Sequence, residues 1–98
     1  MVSALDQLRR EKGKEILRLA ALHGCRNVRV FGSVATGNSG AQSDIDFLVD
    51  LDAGRNLFDL GGLLSDLNDA LSSKVDLVEA RCLHPQIRDR VLAEAVPL

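Results

Sequence analysis

The chain has 98 residues, 46% apolar and 27% charged, with a net charge of −2, the mix of an ordinary globular protein with room for one modest core but not two. Three Phe with no Trp and no Tyr exclude the aromatic platforms on which single-stranded nucleic acid stacks. The charge is uneven: residues 1–29 carry seven Lys/Arg against three Asp/Glu, and residues 30–98 carry five against eleven, read as a basic, solvated helix face before an acidic remainder or, alternatively, as a basic arm that guides an anionic substrate toward a metal-loaded acidic site. Residues 1–98 are read as a single domain. No apolar run approaches the roughly 18 residues of a membrane helix and no signal-peptide pattern opens the chain, so a cytoplasmic location without membrane contact is expected. Cys25 and Cys82 lack metal-ligand spacing and are expected to be free thiols.

The first element is a helix over 3–23, with Ser3 as N-cap and Asp6 three residues on. Leu5, Leu8, Ile16, Leu19 and Ala20 fall near one face, and Gly24 suits the left-handed position that ends it. "VRVF" at 28–31 alternates as a half-buried strand. A glycine-containing loop with a short helix follows, and "IDFLVDL" at 45–51 is a second strand. Residues 56–71 are helical, with a stripe of Leu57, Leu60, Leu64, Leu67 and Leu71 widened by Leu63 and Ala70. Gly61 and Gly62 interrupt its propensity, and close packing on a sheet is the expected compensation. A third strand spans 74–79, ending at Glu79, which is expected to be exposed. A final helix opens at Pro85 and turns Ile87, Val91 and Ala95 inward. His23 and His84 read as a helix end and a helix cap. The order predicts an α+β, α/β-like fold, a small mixed sheet flanked by helices.

Between the first two strands, "GSVATGNS" imitates a P-loop, yet Asn38 stands where the phosphate-binding Lys belongs and no long helix follows. The next stretch, "SDID", carries a different chemistry. Residues i and i+2 of a strand share a side, so Asp44 and Asp46 present two carboxylates to one face. Two like charges that close require a cation, and neither Ser43 nor Ile45 supplies one; oxygen-only ligands point to Mg²⁺ or Mn²⁺. Asp76 sits between Val75 and Leu77 in the third strand and can join the cluster if the strands are neighbours. Three acids on adjacent strands can hold two metal ions for in-line displacement at phosphorus. Gly32 allows close backbone approach, and the loop amides with the Ser33 hydroxyl can cradle terminal phosphates. Ser39 and Ser43 read as polar loop groups, Ser43 orienting the loop at Asp44.

The run "GSVATGNSGAQSDID", followed by "KVDLVE" and bracketed by "REKGKEILRLAALHG" and "QIRDRVLAEAVPL", resembles the nucleotidyltransferase superfamily that includes DNA polymerase β, in particular its minimal members, over nearly the whole chain. The resemblance implies the nucleotidyltransferase fold. It also implies transfer of a nucleoside monophosphate, AMP from ATP before other nucleotides, with release of pyrophosphate. By the same resemblance Gly32 and Ser33 hold the β- and γ-phosphates, Asp44 and Asp46 coordinate two Mg²⁺ (or Mn²⁺) ions, and Asp76 completes one site and helps activate the attacking hydroxyl. Minimal members often pair with a HEPN-domain toxin as its antitoxin and some modify that partner on a tyrosine, so a protein hydroxyl is the expected acceptor ahead of a nucleic acid, in a hetero-oligomer or homodimer. Thr36 departs from the pattern: relatives often carry Arg there, and Arg81, Arg88 or an arginine of a partner is the candidate replacement. The alternative is a non-catalytic antitoxin that neutralises its partner by docking and keeps a vestigial metal site.

Overall fold

The computed structural model describes residues 3–38 and 44–98; the expectations for Ser39 and Ser43 lie outside them. Helix α1 spans Ala4–Leu22. Ser3 caps it by accepting from the Asp6 amide at 3.1 Å, and Gly24 at φ 70° leads the chain out of it, the left-handed exit that a residue without Cβ takes freely. Strand β1 covers Cys25–Phe31, three residues earlier at its start than the alternation of "VRVF" suggests. The reason is a bulge between Arg26 and Arg29, which breaks the two-residue period the eye follows. Asn27 adopts φ 52° there. Its Nδ2 and Arg29 Nη2 each donate to a different oxygen of Asp50 at 2.9 Å, so one carboxylate pins both sides of the irregularity.

After the short helix α2, Gly32–Thr36, strand β2 runs over Ile45–Leu51 as expected. Helix α3, Leu57–Leu71, begins with a reciprocal cap: Asn56 Oδ1 accepts from the Phe58 amide and Asp59 Oδ2 from the Asn56 amide, both at 2.9 Å. Strand β3 is Val75–Glu79, and helix α4 is Pro85–Glu94. Two elements were not legible in the pattern. A 3-10 turn at Ala80–Cys82 joins β3 to α4, and the final helix stops at Glu94 so that Val96–Pro97 form strand β4.

The sheet order is β3-β2-β1-β4. β1 pairs antiparallel with β2 and β4, while β2 and β3 pair parallel, giving the mixed sheet with flanking helices that was expected. Phe47, Leu48 and Val49 are all fully buried, because β2 is covered on both faces. Phe47, Val49 and Val30 pack with Ile16, Leu19, Leu63 and Leu67 of α1 and α3; Leu48 packs on the other side with Leu83 and Val91. Four expectations are corrected. Leu57 is 68% exposed and Ile87 39% exposed, since each stands in the first turn of its helix, before the helix reaches the core. Gly62 packs not on the sheet but on His23, whose ring a Cβ at that position would meet at 2.9 Å. Glu79 is 3% exposed, drawn in by Arg81, which donates to its Oε1.

Candidate active site

Two parallel strands and one glycine assemble the carboxylates. The β2–β3 register sets Asp46 beside Asp76, so two acids distant in sequence become lateral neighbours at the same end of the sheet. The β1–β2 register sets Phe31 opposite Asp46, and the chain therefore leaves β1 directly alongside that carboxylate. Gly32 follows at φ 73°, and a Cβ there would stand 2.2 Å from Asp46 Oδ2. Both the left-handed backbone and the contact restrict the position to glycine. Thr36 Oγ1 donates to the Gly32 carbonyl at 3.1 Å, and the amide of Asn38 donates to the Ser33 carbonyl at 2.9 Å, closing α2 into a single compact turn.

The Asp46 carboxyl is half-buried and pushed up to about 6. Burial is the main cause, followed by its hydrogen bond with Asp76 and then by the charges of Asp76 and Asp44. A cluster of acids in this condition lacks positive charge, and either a proton or a cation relieves it. Asp76 itself is exposed, at the open side of the pair. Asp44 immediately precedes β2, and its Oδ2 lies 3.7 Å from Lys74 Nζ. The amide of Ile45 donates to the Lys74 carbonyl at 3.1 Å, so the same parallel pairing delivers this lysine. Ser43 and Ile45 carry no charge, and the cation beside Asp44 is instead remote in sequence and adjacent in space. Lys74 stands two residues before Asp76 as Asp44 stands two before Asp46, a correspondence that parallel pairing alone makes meaningful.

As the side chains stand, no three of His, Cys, Asp and Glu among the described residues form a closed ligand set. Asp46 and Asp76 converge, and Asp44 acts on Asp46 through its charge. The donors nevertheless suit a hard divalent cation: they are all carboxylate oxygens, and the elevated Asp46 shows the cluster short of positive charge. Arg81, a candidate to replace the cation that Thr36 does not supply, is committed to Glu79 at 2.5 Å.

Beside the acids opens a cleft of about 590 Å³, walled by Phe31, Leu83 and Val91 and reached by Asp46, Asp76 and His84, the size and mixed lining of a small-molecule site. His84 caps α4 as expected, its Nδ1 accepting from the Gln86 amide at 3.1 Å; its place on this cleft follows from the 3-10 turn and was not visible in the sequence.

Residues 12–98 match the family described as "Polymerase beta, Nucleotidyltransferase". Two proteins of Methanocaldococcus jannaschii, each named as a candidate protein adenylyltransferase, are 36% identical to the chain, one over 85% of it and 89% of its own length, the other over 72% and 78%. The structure of a candidate minimal nucleotidyltransferase superposes with a TM-score of 0.82 at 45% identity, covering 96% of this chain and 95% of that one. A toxin–antitoxin structure with AMP-PNP superposes at 0.73 with 26% identity over 86% and 69% of the two chains. The toxin–antitoxin MntA-HepT superposes at 0.64 with 25% identity over 93% and 69%.

Proposed function

Because the chain belongs to the polymerase β-type nucleotidyltransferases and is a minimal member of that enzyme family, we propose that it transfers AMP from ATP to a hydroxyl of a partner protein. The partner in this reading is a HEPN-type toxin, which the chain neutralises as its antitoxin. The observation that carries the reading is the Asp46–Asp76 pair with the backbone of Gly32 against it. The likeness to two chains of toxin–antitoxin structures, one with AMP-PNP, supports the partner and the nucleotide.

In this reading Gly32 and Ser33 hold the triphosphate tail, the glycine by letting the chain approach closely and the serine through its hydroxyl. Asp44, Asp46 and Asp76 hold Mg²⁺, which when bound neutralises the phosphates and the developing charge on the leaving pyrophosphate. Asp46 must be ionised to do so, so below a pH of about 6 magnesium binding displaces the proton that the crowded acid otherwise retains. In this reading Asp76, exposed at the open edge, accepts the proton of an incoming hydroxyl. Asp44 must exchange its contact with Lys74 for the metal, which leaves an ammonium free at the rim to attract an anionic substrate.

The test is transfer of label from α-³²P-ATP with Mg²⁺ to the purified partner. A labelled partner band that disappears in the Asp44→Asn/Asp46→Asn variant is expected. Docking without chemistry is the second reading, favoured by the engagement of Asp44 with Lys74 and by Thr36 in place of a cation. If the double variant still neutralises the partner in cells as well as the parent does, docking is the function and the transfer proposal fails.

A further inference from the structure

Helices α1 and α3 cover the face of the sheet that carries Phe47 and Val49. Asp46, two residues from Leu48, belongs to the other face. The two helices run antiparallel, because each turns back into the strand that follows it and those strands, β1 and β3, run in opposite directions. His23 fixes how they meet: its Nε2 lies 2.6 Å from Asp66 Oδ2, and its ring lies against Gly62. Outside this seam the layer is open. Leu22, the neighbour of His23, is 61% exposed, and Phe58, one turn before Gly62, is 90% exposed, although both belong to helices with formed caps.

The outward face of α3 is shaped to receive another helix. Phe58, Gly61, Gly62 and Ser65 stand at i, i+3, i+4 and i+7, the spacing that borders a hole on a helix surface, and its two middle members have no side chain. Gly61 has no steric reason within the chain: a Cβ there would meet nothing within 4 Å, and alanine would stabilise the helix. One turn further along, Gly62, Ser65, Asp66 and Asp69 border the next hole, which is acidic. On α1 the exposed residues one turn apart are Leu22 and Arg18. An apolar knob and a cation on α1 thus match an apolar hole and an acidic hole on α3, in the order that antiparallel helices require. Within the chain Arg18 and Asp69 take no part in the ion pairs formed among the described residues.

We propose that this layer is the interface of a homodimer whose two-fold axis runs along the seam between α1 and α3, so that α1 of each copy lies on α3 of the other in a four-helix bundle. Rotation about an axis parallel to the helices keeps every residue at its own height, and His23 holds Leu22 near the height of Gly62. Leu22 of one copy therefore enters the hole bordered by Phe58, Gly61, Gly62 and Ser65 of the other, and Arg18 reaches Asp69, each contact being made twice. Gly61 lets the helices approach closely, since the distance between packed helices is set by the side chains at the contact. Self-complementarity selects a second copy as the occupant: knob and hole, cation and anion, lie on one surface at matching heights. The acids, on the opposite face of the sheet, stay open in both copies. The inference rests on the helical layer and not on the transfer reaction, so it can stand or fall separately.

The test is sedimentation equilibrium of the full chain, which should show monomer and dimer exchanging with a Kd in the micromolar range. Gly61→Gln fills the hole while improving helix propensity, so a dimer weakened by about tenfold or more is expected with no fall in the Tm of the dilute monomer. Leu22→Ser should weaken the dimer to a similar degree. Arg18→Asp and Asp69→Arg should each weaken it about tenfold, by setting like charges together in both halves of the interface. An equimolar mixture of these two variants should recover the parent's affinity, because both halves of the mixed dimer then pair opposite charges. Asp44→Asn/Asp46→Asn should dimerise as the parent does, which separates this interface from the transfer reaction. A parent that stays monomeric at every concentration, or a dimer that tolerates Gly61→Gln, would overturn the proposal. Failure of the mixture to recover would overturn the two-fold pairing of Arg18 with Asp69. A monomeric parent that loses its partner toxin on Gly61→Gln would assign the face to that toxin and overturn the second copy.

Discussion

Gly32 and Asp46 occupy each other's space: a single carbon added to the glycine would lie 2.2 Å from the carboxylate oxygen Oδ2. The glycine turn and the acid are one construction, for the carboxylate can stand where it does only because the chain leaving β1 has no side chain there.

Gly32→Ala should therefore fail twice. The left-handed backbone costs a residue with Cβ about 1–2 kcal/mol, and the added carbon must also displace Asp46. A lower Tm and loss of label transfer are expected together. Normal transfer in the alanine variant would mean that Asp46 need not hold its position for the reaction.

The elevated acid gives a pH signature. With Asp46 titrating at about 6 in the folded chain and near 3.8 when exposed, the fold binds the extra proton between those values. This group's contribution to stability is therefore present at the acid end and is lost as pH rises through about 6. In EDTA, Asp46→Asn should melt above the parent at neutral pH, and the gap should close as pH falls toward the lower value. Mg²⁺ with nucleotide should raise the Tm of the parent and not of the variant. A gap independent of pH would show that the carboxylates are not crowded.

His23 Nε2 lies 2.6 Å from Asp66 Oδ2 and ties the end of α1 to α3. Both side chains are partly exposed, 25% and 43%, so a double-mutant cycle with alanine should give a coupling of about 0.5–1 kcal/mol. Gly62 lies under the same ring. Gly62→Ala should gain little in the parent, because it turns the imidazole away from Asp66. In a His23→Ala background it should stabilise by about 1 kcal/mol, the ordinary helix preference for alanine. Equal effects in the two backgrounds, read from denaturant midpoints, would remove His23 from the account.

Asn56→Ala removes the acceptor for the Phe58 amide and should cost about 1 kcal/mol. Asp59→Asn retains an oxygen that can accept from the Asn56 amide but loses the charge facing Arg55 at 3.1 Å, and should cost less. Urea unfolding of the two variants orders them; the reverse order would show that the ion pair outweighs the cap.

Much of this protein was legible in its sequence because the signals are local. Ser3, Gly24, Pro85 and the leucine spacing of α3 act through backbone geometry within a turn or two, and they located three of the helices. The spacing of Asp44 and Asp46 on one strand, with Gly32 and Ser33 upstream, likewise needs only the two-residue period of a strand to suggest a shared face. Contacts between remote segments were decided by the tertiary structure. The parallel register of β2 and β3 alone makes Asp46 and Asp76 neighbours and brings Lys74 to Asp44. The bulge at Asn27 lengthens β1 by a rule that breaks its period. Glu79, read as a surface residue because it ends a strand, is buried because Arg81 folds back over it. Val96 and Pro97 leave the helical pattern because an edge of β1 is open to them. Periodicity records which way a side chain points along its own element; which element it meets depends on the register of strands far apart in sequence.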